Sequence, residues 1–203
     1  MRACKDSCPF YIIGVVAGSS HEIGGVEKHI LALLNYNTQK RFWFLVFGPS
    51  NFVRALSDLR FAHVEDVEWS PRAAWDIYAA FRLWRLLRVY KPSLLHIHDP
   101  RSGVLGRVVA KFLNIPVVYT VHLPPYYYTT GLKMRICRFV EKLLNKGFTD
   151  RIIYVSHSVH DEAIQHCIAP IERALVIENG IDFRVYSGPV DRTAIRKALN
   201  IPV

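Results

Sequence analysis

The segment Leu94 to His122 reads LLHIHDPRSGVLGRVVAKFLNIPVVYTVH. Its two ends, Leu94 to His98 and Ile115 to Val121, are short, apolar and β-branched, as strands buried on both faces must be. Between them Ser102 to Leu113 has the spacing of an amphipathic helix. A strand, a crossover helix and a second strand imply a parallel pair. The same alternation extends outward. Strands are expected at Phe10 to Ala17, Arg41 to Phe47, His63 to Val67, Arg151 to Ser156 and Ala174 to Glu178. Helices are expected at Val26 to Thr38, Arg72 to Tyr90, Gly131 to Lys146 and Ser158 to Ile168, with Ser70-Pro71 as one start signal and Asn145 to Gly147 as one stop signal. The pattern predicts a doubly wound α/β fold, a mostly parallel sheet covered by helices on both faces.

Composition agrees with such a core. The chain has 203 residues, of which 51% are hydrophobic and 21% charged, so disordered and fibrous classes are excluded. A formal charge of +9 points to partners carrying phosphate or anionic lipid. Nucleic acid is not expected as a partner, because the basic residues are dispersed and no reading motif is present. Cys4, Cys8, Cys137 and Cys167 form no Cys-x-x-Cys pair, which suggests a reducing, cytoplasmic setting. Arg2 and Lys5 ahead of an apolar run raise the alternative of a secretory signal, but Asp6 interrupts the basic segment and cleavage would delete the first strand. The expected organisation is a tail at 1–9, one domain at 10–186, and a linker with a last helix, Arg192 to Leu199, at 187–203.

In doubly wound sheets ligands bind at the carboxyl ends of the strands, so chemistry is expected in the loops there. Gly24-Gly25 opens the first helix, where glycine backbone and free N–H groups suit a phosphate or sugar phosphate; the alternative is a turn that needs positive φ. It is not the Gly-x-Gly-x-x-Gly dinucleotide fingerprint. Glu27 has a favourable place in the first helical turn. His96 and His98 share one face of a strand and precede Asp99, an arrangement open to a metal-dependent hydrolase if a third ligand exists; Pro100 and Arg101 stand where one would be sought. His122 is presented from a buried strand against the Pro124-Pro125 corner. His157 and His160 read as solvated or capping. Arg72 to Tyr90 places Ala73, Ile77, Ala80, Phe81, Trp84 and Leu87 on one face beside Arg82 and Arg85, either a core helix or one that touches anionic lipid. Tyr126 to Tyr128 with Lys133, Arg135 and Arg138 forms a second basic and aromatic stretch.

Taken in order, several segments resemble the N-terminal domain of family 4 glycosyltransferases, which have two facing Rossmann-like domains, the GT-B fold. They are Gly24-Gly25-Val26-Glu27, Lys91 to His98, Ile115 to His122, Asp150 to Ser156 and Val176 to Asp182. The resemblance implies a retaining transfer from a nucleotide sugar to a glycan or lipid-linked acceptor, without metal or cofactor. It implies His122 as the catalytic contact, Gly24, Gly25, Asn179 and Gly180 at the donor, and Glu27, His98, Tyr127 and Thr130 at the acceptor. The family's second domain carries an Arg, a Lys and two Glu separated by seven residues, yet only 21 residues follow Asp182 and no two glutamates here have that spacing. The expected chain is thus the acceptor-side half of a bilobal enzyme, inactive without the donor-binding half in cis or as a separate chain. An anionic membrane surface is an expected partner. The alternatives are a non-catalytic subunit that recruits acceptor or membrane, and the hydrolase above.

Overall fold

The computed structural model describes residues 11–17, 24–36, 42–59, 64–180, 188 and 191–201. The tail at 1–9 with Cys4 and Cys8, the loop at 18–23, Ile181 and Asp182, and residues 187 and 189–190 of the linker lie outside them. The strands are β1 (Tyr11–Val16), β2 (Phe42–Gly48), β3 (Val64–Glu68), β4 (Leu94–Ile97), β5 (Val117–Val121), β6 (Arg151–Tyr154) and β7 (Ala174–Val176). Between and after them run α1 (Gly25–Asn35), α2 (Ser50–Leu59), α3 (Ile77–Tyr90), α4 (Pro100–Phe112), α5 (Gly131–Gly147), α6 (His157–Gln165) and α7 (Arg192–Ala198). All strand pairs are parallel, in the order β3-β2-β1-β4-β5-β6-β7. The chain therefore winds outward from β1 to β3, then returns to the other side of β1 and winds the opposite way.

Period-two alternation divides the core between the two faces. Val15, Phe44 and Val46 pack under Ile30 and Leu34 of α1 and Phe52 and Leu56 of α2. Their neighbours Val16, Leu45 and Phe47 belong to the opposite cluster with Leu83, Leu87, Leu105 and Val109. Gly106 permits the close approach of α4 to the sheet: a Cβ there would lie 2.8 Å from Ile97 Cδ1.

Two elements differ from the expectation. α2 has no counterpart in the expected pattern, although a parallel β2-to-β3 connection requires a crossover and Phe52 and Leu56 supply its i, i+4 apolar pair. α3 begins at Ile77 rather than after Ser70-Pro71, because Asp76 accepts the Ala79 N–H at 3.0 Å and caps it there. Its buried row is Ala79, Leu83 and Leu87, with the Trp69 indole donating to the Ala79 carbonyl at 2.9 Å. Ile77 and Phe81, expected in the core, are 83% and 53% exposed.

α5 ends at Gly147, as expected, but Asn145 acts in the interior rather than as a stop. Its side-chain carbonyl accepts from Arg107 at 3.0 Å and its amide donates to the Ile168 carbonyl at 3.2 Å. Arg107, fully buried on α4, also donates to both Glu141 oxygens at 2.8 and 3.0 Å and to the Gly103 carbonyl at 2.9 Å. Its guanidinium lies 4.3 Å from the Tyr119 ring centroid. This network ties α4 to α5.

α4 starts at the strand end that bears the histidines. Asp99 caps it, accepting the Ser102 N–H at 2.8 Å and the Ser102 hydroxyl at 2.9 Å. Asp99→Ala is expected to lower stability by about 1 kcal/mol, the usual loss for a helix cap, read as a lower urea midpoint at unchanged slope. An unchanged midpoint would show the cap to be dispensable. No helix among the described residues is long and apolar enough to cross a membrane.

Candidate functional site

Strand order reverses between β1 and β4, and the crevice beyond their carboxyl ends is where the chain's unusual side chains meet. Three elements contribute. His98 directly follows β4 and is held to β1 by its N–H, which donates to the Val16 carbonyl at 3.1 Å. His122 directly follows β5, and its Nε2 lies 3.3 Å from Nδ1 of His98, a hydrogen bond whose donor depends on the tautomer. His29 comes from α1: its ring centroid is 5.0 Å from that of His122 and 5.5 Å from that of His98. Asn179, in the chain after β7, hydrogen-bonds the His29 side chain.

His96 lies on the same face as His98, as the sequence indicated, with ring centroids 4.1 Å apart. Its Nε2, however, pairs with Thr120 Oγ1 at 2.8 Å. Among the described residues, the histidines whose ring nitrogens converge are His29, His98 and His122, one from each lying within 4.8 Å of the others, so these are the described residues that could hold a metal ion. The His96–His98 pair is not that set. The sequence does not single out His29, because nothing local distinguishes a histidine one turn into an amphipathic helix.

Burial sets the protonation state of this cluster. It lowers His96 and His122 to about 4 from the ordinary 6.5, holds His98 well below that value, and lowers His29 despite its bond to Asn179; neighbouring imidazoles add to the effect for His96, His98 and His122. At neutral pH the site is an array of uncharged imidazoles. Such groups donate and accept hydrogen bonds, which suits hydroxyl groups better than it suits a diphosphate. His98 is fully buried, and its Nε2 has no partner among the described residues.

The folded chain thus refuses protons that its unfolded form accepts near pH 6.5. Their contribution to stability is complete above that pH and is lost as pH falls from 6.5 towards about 4, where His96 and His122 protonate in the folded state too. For His96 alone the displacement corresponds to roughly 3 kcal/mol. Urea denaturation is expected to show this fall across the window, with a shallower fall in His96→Gln. A stability that is flat or rises on acidification there would contradict the role given to burial.

The amino end of α1 faces the same crevice. Gly24 has φ −92° and Gly25 is also outside positive φ, so the pair is not there for a left-handed turn. At Gly24 the constraint is space, since a Cβ would lie 3.2 Å from Glu27 Oε2. Among the described residues, a Cβ on Gly25 would meet no atom within 4 Å, so a side chain there would crowd none of them. Glu27 is buried and accepts the Gly24 N–H at 2.9 Å, so the carboxylate holds the glycine loop in shape. The next amides of the first turn have no acceptor within the helix.

Tyr127 and Thr130 are exposed, on the loop between β5 and α5. The Tyr127 hydroxyl donates to Glu162 on α6, and Thr130 sits before α5 without a side-chain capping bond. Gly180 is exposed beside Asn179. The structure therefore gathers His29, His98, His122 and Asn179, joins Gly24 to Glu27 at the start of α1, and connects Tyr127 to α6 instead. Arg138, expected on an open basic surface, pairs with Glu162 at 2.9 Å and stands 5.1 Å from the Tyr126 ring centroid.

Comparison with known proteins agrees with this fold. A glycosyltransferase of Rickettsia africae superposes with a TM-score of 0.70 at 14% identity, covering 96% of this chain and 50% of the other. Alr3699/HepE of Anabaena, in complex with UDP and glucose, gives 0.68 at 19% identity, covering 94% and 50%. Among curated proteins, the Escherichia coli UDP-Gal:alpha-D-GlcNAc-diphosphoundecaprenol alpha-1,3-galactosyltransferase is 22% identical over 125 residues, 61% of this chain and 32% of the relative. The chain thus spans half or less of these proteins. The model of Glycosyltransferase Family 4 matches residues 23–185, a span that takes in Gly24, His29, His98, His122 and Asn179, and the chain belongs to that family.

Proposed function

We propose that this chain is the acceptor-side lobe of a retaining glycosyltransferase that moves a sugar from a nucleotide donor to a glycan or lipid-linked acceptor at the cytoplasmic face of a membrane. A second lobe, in cis or as a separate chain, holds the nucleotide. The observation that carries this reading is the cluster of uncharged imidazoles, His29, His98 and His122, at the topological switch point beneath the amino end of α1. The Anabaena protein with UDP and glucose and the E. coli enzyme acting on a diphosphoundecaprenol-linked sugar support the substrate classes.

In this reading His122 hydrogen-bonds a hydroxyl of the transferred sugar next to the carbon that changes partner. His29, steadied by Asn179, backs His122 from α1. Gly25 leaves room for the donor, and the free amides of the α1 first turn face the negative charge that grows on the departing diphosphate. Glu27 maintains that turn through Gly24. His98 orients His122 and, with Tyr127 and Thr130 further out, belongs to the acceptor side; Gly180 follows Asn179 along the donor side. The electrostatic work is left to backbone dipoles and the second lobe, so no metal or cofactor is required. Alone, this lobe has little activity, because half of the contacts to the transition state are missing.

The test is transfer of labelled sugar from a panel of UDP-sugars to a polyprenyl-diphosphate glycan by the polypeptide of the complete reading frame. Product with the donor's anomeric configuration, read by NMR, is expected. Folded protein that consumes no nucleotide sugar would overturn the proposal.

A further inference from the structure

α5 is amphipathic twice over. Its inward face, with Glu141, Leu144 and Asn145, packs on the domain. The opposite face should be polar in a helix whose only neighbour is water, yet it carries Leu132, Ile136, Phe139, Val140 and Leu143, exposed by 36–72%. The spacing i, i+4, i+7, i+8, i+11 makes this one continuous stripe along the helix. Lys133 borders it on one side and Arg135, Lys142 and Lys146 on the other, all exposed. The only acidic residue of α5, Glu141, is buried against Arg107, and Arg138 is paired with Glu162, so the charges that α5 shows to solvent are positive.

We propose that this face of α5 docks flat on an anionic bilayer, its apolar stripe in the interface and its flanking cations against the lipid phosphates. Charge selects this occupant. In a two-fold contact with a second copy, the same four cations would face their counterparts across the stripe. Position supplies the purpose. α5 leaves the loop that follows β5, so its amino end lies at the carboxyl end of the sheet, where His122 sits, and a helix resting on the bilayer holds that end next to a lipid-linked acceptor. The docking itself depends on α5 alone; only its purpose rests on the acceptor proposed above.

The experiment is sedimentation of the full chain with vesicles of phosphatidylcholine, with and without phosphatidylglycerol, at low and high salt. Retention on the anionic vesicles at low salt is expected, weakened by salt. Ile136→Glu with Phe139→Glu, both on the exposed stripe, should reduce partitioning by about tenfold or more. Replacing Lys133, Arg135, Lys142 and Lys146 with Gln should abolish the preference for anionic lipid. Circular dichroism of each variant verifies folding, and transfer to a water-soluble acceptor by the complete enzyme should be unchanged. Ile77→Glu, on α3, which also exposes apolar residues, should retain binding. No retention of the wild type on anionic vesicles overturns the proposal while leaving transfer to soluble acceptors intact. Binding lost in Ile77→Glu but kept in the α5 variant overturns it as well, as does a dimer that the α5 changes dissolve without effect on vesicle binding.

Discussion

Glu141→Ala is expected to destabilise the domain by about 3–5 kcal/mol, more than the loss of a cap. The reason is asymmetry. Arg107 is completely buried and donates to both carboxylate oxygens of Glu141, so truncation leaves a guanidinium without its counter-charge in a site closed to water. Asn145, the Gly103 carbonyl and the Tyr119 ring remain, but none carries a negative charge. Arg107→Met combined with Glu141→Leu should recover most of the loss, because an apolar pair of similar volume needs no compensation. Urea denaturation of the three proteins checks this. A loss below about 1 kcal/mol in Glu141→Ala would mean that water or a neighbouring anion reaches Arg107.

His122→Ala is expected to reduce kcat of the complete enzyme about 100-fold, near 2.7 kcal/mol of barrier, with a smaller change in donor KM. The imidazole is uncharged at neutral pH because burial holds it at about 4, so it acts by hydrogen bonding rather than by charge. Two consequences separate this role from a structural one. The activity plateau should extend unchanged above about pH 6 and fall on the acid side as the imidazole protonates, and His122→Asn should retain more activity than His122→Ala. A His122→Ala enzyme with normal kcat would remove His122 from the reacting centre. His29→Ala should act through His122, lowering kcat by less.

The fold is largely written in the chain's periodicity. Parallel strands buried on both faces produce apolar runs, such as Phe42 to Phe47 and Val117 to Val121, that no other element imitates at that length. α2 is hidden because it is short and its pattern rests on Phe52 and Leu56, two residues that become recognisable only once the crossover is required. The row of α3 that faces the core differs from the expected one for another reason. Of the expected row, Leu87 is buried and Ala80 and Trp84 pack against the core, but Ala79 and Leu83 lie against the sheet in place of Ile77 and Phe81, and those two are left outside. The site shows the same limit. Gly24, His98 and His122 stand at loop positions where function concentrates, and Glu27 in the helical turn that follows one, so sequence singles them out. His29 has no such mark, because its significance arises when α1 is laid across the ends of β4 and β5. The capping role of Asp76 and the interior role of Asn145 likewise depend on partners distant in the chain or in competition with a better-looking local signal.

If this chain performs one half of a sugar transfer, it needs a donor-binding lobe for the other. The decisive comparison sets transfer by residues 1–203 against transfer by the polypeptide of the uninterrupted reading frame, or by 1–203 supplemented with a co-purifying chain, under one set of donor and acceptor concentrations. Turnover is expected only when the second lobe is present, and should fall about 100-fold in His122→Ala. Full turnover by residues 1–203 alone would refute the division of labour between the two lobes.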